Sequence, residues 1–431
     1  MWSVYLENRP MFVTATSVLG RVSRRAYYGP LAPLRARTLG RPRLPERRWV
    51  RIRNRMAGIS SSELRLVHLE SDARVAAMVA PHQPRYFLGR EVVGEVIEVG
   101  PDTQFLRPGD RVAYQSDQCC ETRGMEPPCQ QCAVGNYALC DYRYLPGPQP
   151  IGGGWSDEMV LHERQVFLVP DSLTDEQAAL LEPSAASIHA VMRRLPQPGE
   201  KALIIGGGAE GLLATQALHA LAPDGTSITT VAQFPFQVEM ATRLGAGHVI
   251  HEKNASAAVV RATSAQRYTG PGGGEMMVGG FDIVYDTIGS ATTLRNALRW
   301  AREGGTVVLA AARPVPLTVD LTPIWFREVT LLGAWMHGTE NAPNATGVSA
   351  LGHQRGGRES AFQIAARLIR SRAVTPDRLI THRFPLREVR RALQTARHAQ
   401  EHRAIKVMLD MRDPTGFDQP VSEVMSEEIY G

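Results

Sequence analysis

The sequence predicts an α/β protein, a doubly wound parallel sheet accompanied by a small bent β-domain. Three observations carry this. Residues 91–100 read EVVGEVIEVG, and 111–114 follow the turn residues Pro108, Gly109 and Asp110; apolar residues alternating with Gly and Glu mark strands of a bent β-domain. From residue 202 onward, short apolar strands alternate with helices, the pattern of βαβ units. After about residue 335 this alternation stops.

The elements follow in order. Residues 49–59 read as a strand entering a loop at Gly58, and Gly94 within the next run predicts a bulge or a close backbone approach. Residues 151–155 form a glycine loop, and 165–170 a short strand. Residues 175–195 are helical, with Asp175 and Glu176 at the start and Pro183 interrupting. Strands are expected at 202–205, 228–231, 249–250, 282–285, 306–310 and 329–332, with helices at 206–221 and 238–244. Residues 270–280, with two glycine clusters, read as a surface loop, and so do the Gly-, Asn- and Ser-rich residues 341–358. Helices at 361–371 and 386–397, an extended run at 379–384 and a closing strand at 404–409 lead to a polar tail at 411–431.

Composition excludes several classes. The 431 residues are 43% hydrophobic and 21% charged, ordinary for a globular protein. There is no apolar run near the ~20 residues of a spanning helix, so no membrane partner is expected. The formal net charge is +5, but only Lys201, Lys253 and Lys406 are lysines and the arginines are spread along the chain, so no phosphate-tracking patch and no nucleic-acid partner is expected. Arg9, Arg21, Arg24, Arg25, Arg35, Arg37, Arg41 and Arg43 make residues 1–45 the most basic stretch. No secretory signal is expected, because residues 11–20 are too short and polar a core. An organellar transit peptide fits the composition; an extension leading into a first strand pair is the preferred reading.

All five cysteines fall between residues 119 and 140. A disulfide framework would spread them out; a tight cluster in a long chain predicts a metal site in a reducing, cytoplasmic setting. Cys129-x2-Cys132-x7-Cys140 supplies three thiolates. A closed structural zinc needs a fourth ligand, from Cys120, Cys119 or Glu126, with a thiolate the better match.

Residues 201–211 read KALIIGGGAEG, a strand ending in G-x-G-x-x-G and opening a helix. Gly206 permits the tight turn, Gly208 lets the backbone approach a pyrophosphate, and Gly211 lets the helix pack on the strand. The anion would rest on free N–H groups at the helix N-terminus. The second strand ends at Ala232 and Gln233 without the acid that holds a ribose in NAD binders, and no Arg follows up to Met240, so NAD and NADP both stay open. Thr287, in the run Tyr285 to Gly289, is expected to line the cofactor crevice.

Together these motifs resemble the zinc-containing alcohol dehydrogenases of the medium-chain dehydrogenase/reductase superfamily, nearest the threonine- and sorbitol-dehydrogenase-like branch. The resemblance runs from about residue 50 to 410 and is carried by LGREVVGEVIEVG at 88–100, PGDRV at 108–112, the cysteine lobe, Leu181-Glu182-Pro183, the glycine turn and GFDIV at 280–284. It implies a GroES-like β-domain built from both ends of the chain with an inserted Rossmann domain. The expected division is a basic extension and first strands at 1–45, the catalytic domain at 46–188 with its zinc lobe at 117–145, the Rossmann domain at 189–335, a return to the catalytic domain at 336–410, and the tail. The resemblance favours Cys120 as the fourth zinc ligand beside Cys129, Cys132 and Cys140. It places Lys406 on the cofactor pyrophosphate and Ser62 where the family keeps a proton-relay hydroxyl, and it implies a homodimer or homotetramer.

One departure stands out. The family holds a catalytic zinc with a Cys in a C-G-T-D run and a His in G-H-E. This chain reads Ser60-Ser61-Ser62-Glu63 and Gly89-Arg90-Glu91. A serine hydroxyl stays protonated at neutral pH, and a guanidinium offers no lone pair. Glu91 and Glu182 alone should not hold zinc tightly. Arg90 is therefore expected where the metal would be, paired with Glu182 or Glu91 and offering a fixed charge to a carbonyl oxygen. The expected function is hydride transfer between NAD or NADP and a small alcohol, carbonyl or conjugated enone, with one structural Zn2+ and no catalytic zinc. Ser62, Arg90, Glu91 and Glu182 are the candidate catalytic residues. The alternative is a nucleotide-binding pseudoenzyme.

Overall fold

The computed structural model describes residues 1–72, 75, 84–116, 118–145, 147–271, 275–341 and 358–412. They form two compact units, one from residues 1–182 and 376–412, the other from 183–341 and 358–375. Most of the expected loop at 341–358 and the tail beyond 412 lie outside the described residues.

The first unit holds β1 (Trp2–Glu7), β2 (Leu34–Thr38), β3 (Trp49–Gly58), β4 (Arg85–Phe87), β5 (Val92–Val99), β6 (Arg111–Tyr114), β7 (Glu158–His162) and β8 (Val166–Leu168). The second holds β9 (Lys201–Ile205), β10 (Ser227–Ala232), β11 (His248–His251), β12 (Gln266–Thr269), β13 (Glu275–Val278), β14 (Phe281–Asp286), β15 (Ala301–Leu309), β16 (Thr330–Gly333), β17 (Thr339–Asn341) and β18 (Arg358–Ser360). The chain then returns to the first unit with β19 (Ile380–Pro385) and β20 (Lys406–Asp410).

In the first unit, β20 from the end of the described chain pairs antiparallel with β3, Met408 opposite Gly58. The resulting seven-stranded sheet runs β19-β20-β3-β5-β6-β8, with β7 also on β3. Val50, Ile52, Val92, Val96, Val112, Trp155, Met159 and Leu161 point into one core. Gly94 is the close approach its sequence predicts: a Cβ there would lie 2.7 Å from the Arg53 carbonyl oxygen, beside a register shift between Asn54 and Met56.

Two elements differ from expectation. The basic extension does supply a strand pair, β1 with β2, and β4 adds to it; but it also folds a helix, Pro10–Val22, that the sequence did not announce. Its Met11, Val18, Leu19 and Val22 face outward, so no buried apolar stripe marked it. The glycine-rich run at 270–280 is not all loop: β12 and β13 form a hairpin, Gln266 opposite Val278, and Met277 is buried.

The second unit's main sheet is parallel throughout and ordered β11-β10-β9-β14-β15-β16. Counted along the chain this is the 3-2-1-4-5-6 order of a dinucleotide-binding fold, whose crevice opens at the carboxyl ends of the first and fourth strands. Here those are β9 and β14. Among the described residues no helix is long and apolar enough to cross a membrane.

Candidate active site and zinc lobe

The cysteine lobe brings Cys120, Cys129, Cys132 and Cys140 together, every Sγ within 4.8 Å of the others and all four residues buried. Cys120 and Cys140 sulfurs lie 3.7 Å apart, and Cys129 and Cys140 sulfurs 3.9 Å. A tetrahedron with Zn–S bonds of about 2.3 Å has edges of about 3.8 Å, so the donor set fits zinc. Backbone N–H groups of Cys129, Cys132 and Tyr142 donate to the sulfurs of Cys120, Cys129 and Cys140, which favours thiolates. Cys119 is buried but stands outside the cluster, its amide donating to the Thr122 hydroxyl, and Glu126 is not part of it either. Of the three candidates for the fourth ligand, the fold brings in Cys120.

The glycine turn joins β9 to the helix Ala209–Leu221. Gly206 has φ +138°, and a Cβ at Gly211 would meet the Gly206 carbonyl oxygen at 2.1 Å. A Cβ at Gly208 would meet nothing within 4 Å, so the helix N-terminus is open for an anion, and the site fits a pyrophosphate. Ala232 is buried under Gly207, and the exposed Gln233 donates its amide to Gln237 Oε1 at 3.2 Å. Thr287 does not present its hydroxyl to the crevice: it donates to the Ile205 carbonyl at 2.9 Å and backs the turn from behind Gly206. Next to it, buried Asp286 accepts the amides of Ile288 and Gly289 at 3.0 Å and shapes the loop.

The remaining candidates gather in the first unit. Ser60 caps the helix Ser61–Val67 and forms a reciprocal capping box with Glu63. The Ser60 hydroxyl donates to Glu63 Oε2 at 2.8 Å and lies 3.0 Å from the Ser62 hydroxyl. Glu63 Oε1 accepts the amides of Gly89 at 2.5 Å and Arg90 at 3.1 Å, which ties the helix to the loop carrying Arg90. Burial, and after it the nearby Glu91 carboxylate, hold the Glu63 acid above the ordinary carboxylate range. Glu63 had no assigned role in the sequence analysis. The S-x-x-E spacing from Ser60 is the signal that could have found it.

Arg90 Nε stands 3.7 Å from Glu182 Oε1, so of the two expected partners the fold chooses Glu182. Glu182 is 1% exposed and the Arg90 side chain 28%. Glu91 and Lys406 pair with each other. The Lys406 ammonium donates to both Glu91 oxygens at 2.7 Å, and both side chains are buried. Lys406 thus neutralises Glu91 within the first unit. A Cβ on Gly58 would fall 1.9 Å from Glu91 Oε2, so the pair needs that glycine.

Residues 46–171 match the alcohol dehydrogenase GroES-like domain, and residues 210–349 match the zinc-binding dehydrogenase domain. Sorbitol dehydrogenase of Bacillus subtilis (strain 168) is 32% identical over 268 residues, 61% of this chain and 68% of the relative. This chain belongs to the zinc-containing alcohol dehydrogenase family. Within the medium-chain superfamily it falls in the sorbitol-dehydrogenase-like branch and is an alcohol-dehydrogenase-type oxidoreductase. L-Idonate 5-dehydrogenase of Vitis vinifera is 28% identical over 364 residues, 84% of this chain and 88% of the relative. Among solved structures, galactitol-1-phosphate dehydrogenase from Escherichia coli shares the fold with a TM-score of 0.68 at 21% identity, covering 95% of this chain and 100% of that one. Among the described residues of this family member, the four cysteines are the one set of His, Cys, Asp and Glu side chains grouped closely enough for a metal.

Proposed function

We propose that this dehydrogenase interconverts a small alcohol and its carbonyl with NAD or NADP, carries one zinc in the cysteine lobe, and uses Arg90 where relatives use a second zinc. One observation carries the reading. At the two seats where the family holds soft ligands, Ser60 is committed to a helix cap and Arg90 to an ion pair with Glu182. The zinc in the lobe supplies structure when bound.

This chain's own residues support the chemistry as follows. Arg90, anchored by Glu182, offers N–H donors and a fixed positive charge to the oxygen that becomes negative as hydride moves. The Ser62 hydroxyl exchanges the proton of that oxygen. The open helix N-terminus at Gly208 binds the cofactor pyrophosphate. Polyols and ketoses are the first substrates to try, since sorbitol and L-idonate dehydrogenases are among the similar proteins. The pseudoenzyme alternative finds no support in these relatives.

A second copy of the chain fits the edge of the parallel sheet. β16 is an edge strand, and Leu321, Trp325, Phe326, Leu331 and Trp335 are exposed on or near it, which favours a homodimer or a larger homo-oligomer. A buried cluster of thiolate ligands at the lobe suits the reducing cytoplasm.

The test is turnover of NADH and NADPH against ketoses, ketones and enones, with zinc counted in the same preparation. Arg90→Met should lower kcat about 100-fold with cofactor affinity unchanged. Wild-type activity in Arg90→Met, or no turnover with any substrate, would refute the reading.

A further inference from the structure

The hydroxyl of Ser60 has one hydrogen, which it donates to Glu63 Oε2 at 2.8 Å, while its oxygen accepts the Glu63 amide at 3.3 Å as the helix cap. The neighbouring Ser62 hydroxyl, 3.0 Å away, is therefore the donor toward Ser60. The bonds run one way, from Ser62 O–H to Ser60 O–H to the Glu63 carboxylate. The outer end, Ser62, is partly exposed, and the inner end, Glu63, is buried.

We propose that Ser62, Ser60 and Glu63 form an inward proton path for the alcohol–carbonyl step, with Glu63 as the group that stores the proton. The proposal rests on the reading that no catalytic zinc occupies this pocket, because a thiolate ligand in place of Ser60 would break the chain. In the oxidation direction, the substrate O–H gives its proton to Ser62 Oγ. The Ser62 hydrogen passes to Ser60 Oγ and the Ser60 hydrogen to Glu63 Oε2. The substrate C–H bond breaks, its electron pair and hydrogen go to the oxidised nicotinamide, and a C=O bond forms. The carboxylate has become a carboxylic acid and NAD(P)+ has become NAD(P)H. After the carbonyl product leaves, the proton returns along the same hydroxyls to water. Reduction runs every step in reverse.

The surroundings suit this role. The charged and titratable groups facing Glu63 are Glu91, Arg90 and Tyr86. Glu91 raises the proton affinity of Glu63, Arg90 lowers it, and burial outweighs both. The amides of Ser60, Gly89 and Arg90 keep the carboxylate in place. Ser60 and Glu63 are positioning and relay groups, and only Ser62 meets the substrate.

The test compares the pH profile of kcat for alcohol oxidation in the wild type, Ser60→Ala, Ser60→Thr, Ser62→Ala and Glu63→Gln, with cofactor binding by fluorescence and zinc content measured for each. Ser60→Ala and Ser62→Ala should lose at least about 10-fold in kcat, and Ser60→Thr should recover to within about 3-fold. Glu63→Gln should abolish the acidic limb of the profile. Cofactor affinity should not move. Full kcat with an unchanged acidic limb in Ser62→Ala, which leaves the helix cap untouched, overturns the path even where Ser60→Ala does not fold. A second zinc in the active wild type overturns the underlying reading; one zinc with fully active relay variants overturns the relay alone.

Discussion

Lys406→Met isolates the physics of the buried Lys406–Glu91 pair. Lys406 Nζ meets both Glu91 oxygens at 2.7 Å, with side chains 4% and 1% exposed. At an effective dielectric of about 20 the attraction at this distance is about 6 kcal/mol, much of it offset by the cost of dehydrating both ions. Removing one partner leaves that cost without the attraction, so the variant should lose about 3–5 kcal/mol. In a unit of this size the loss corresponds to roughly 6–20 °C in melting temperature. The double variant Lys406→Met/Glu91→Gln removes both charges and should melt well above the single one. Thermal melts followed by circular dichroism measure all of this. A single variant within about 1 °C of wild type, or a double variant no better than the single, would refute the argument.

Three further outcomes follow from the same coordinates. Ser60→Cys with Arg90→His should gain a second zinc by elemental analysis if the pocket keeps its relatives' geometry; no gain would show that the pocket has diverged beyond its two ligands. Cys132→Ala removes one corner of the thiolate tetrahedron and should reduce bound zinc from one per chain to near zero, with a lower melting temperature; retained zinc would exclude Cys132 as a ligand. His162 is buried with its ring edge-on to Trp49, and burial, followed by the Arg48 charge, pushes its pKa down to about 4. The unfolded chain takes up this proton below about pH 6.5 and the folded one resists it, so stability should fall by as much as about 3 kcal/mol between pH 6.5 and 4. His162→Gln should flatten that span of the stability curve, and an equally steep curve would exclude His162 as its source.

The parts of the molecule legible in the sequence are those whose physics is local. Gly206, Gly208 and Gly211 are spaced by the turn they build, Cys129 and Cys132 by one turn of chain, and the strands of the parallel sheet by alternation with helices. The helix Pro10–Val22 was illegible because Met11, Val18, Leu19 and Val22 face outward and blur any inward apolar stripe. The β12–β13 hairpin hid among glycines that read equally well as loop. The Lys406–Glu91 pair joins residues 315 positions apart, and no local pattern announces such a contact. Thr287 is expected to line the cofactor crevice, but its hydroxyl points to the Ile205 carbonyl, a direction that only the packing of β9 against β14 fixes. Glu63 was within reach, as the fourth residue of a capping box that starts at Ser60.

The most direct test is to count zinc atoms per chain by inductively coupled plasma mass spectrometry on a preparation whose alcohol oxidation is measured in the same tube. One zinc per chain alongside turnover is the predicted result. Two zincs per chain, with turnover lost when the second is stripped, would contradict it.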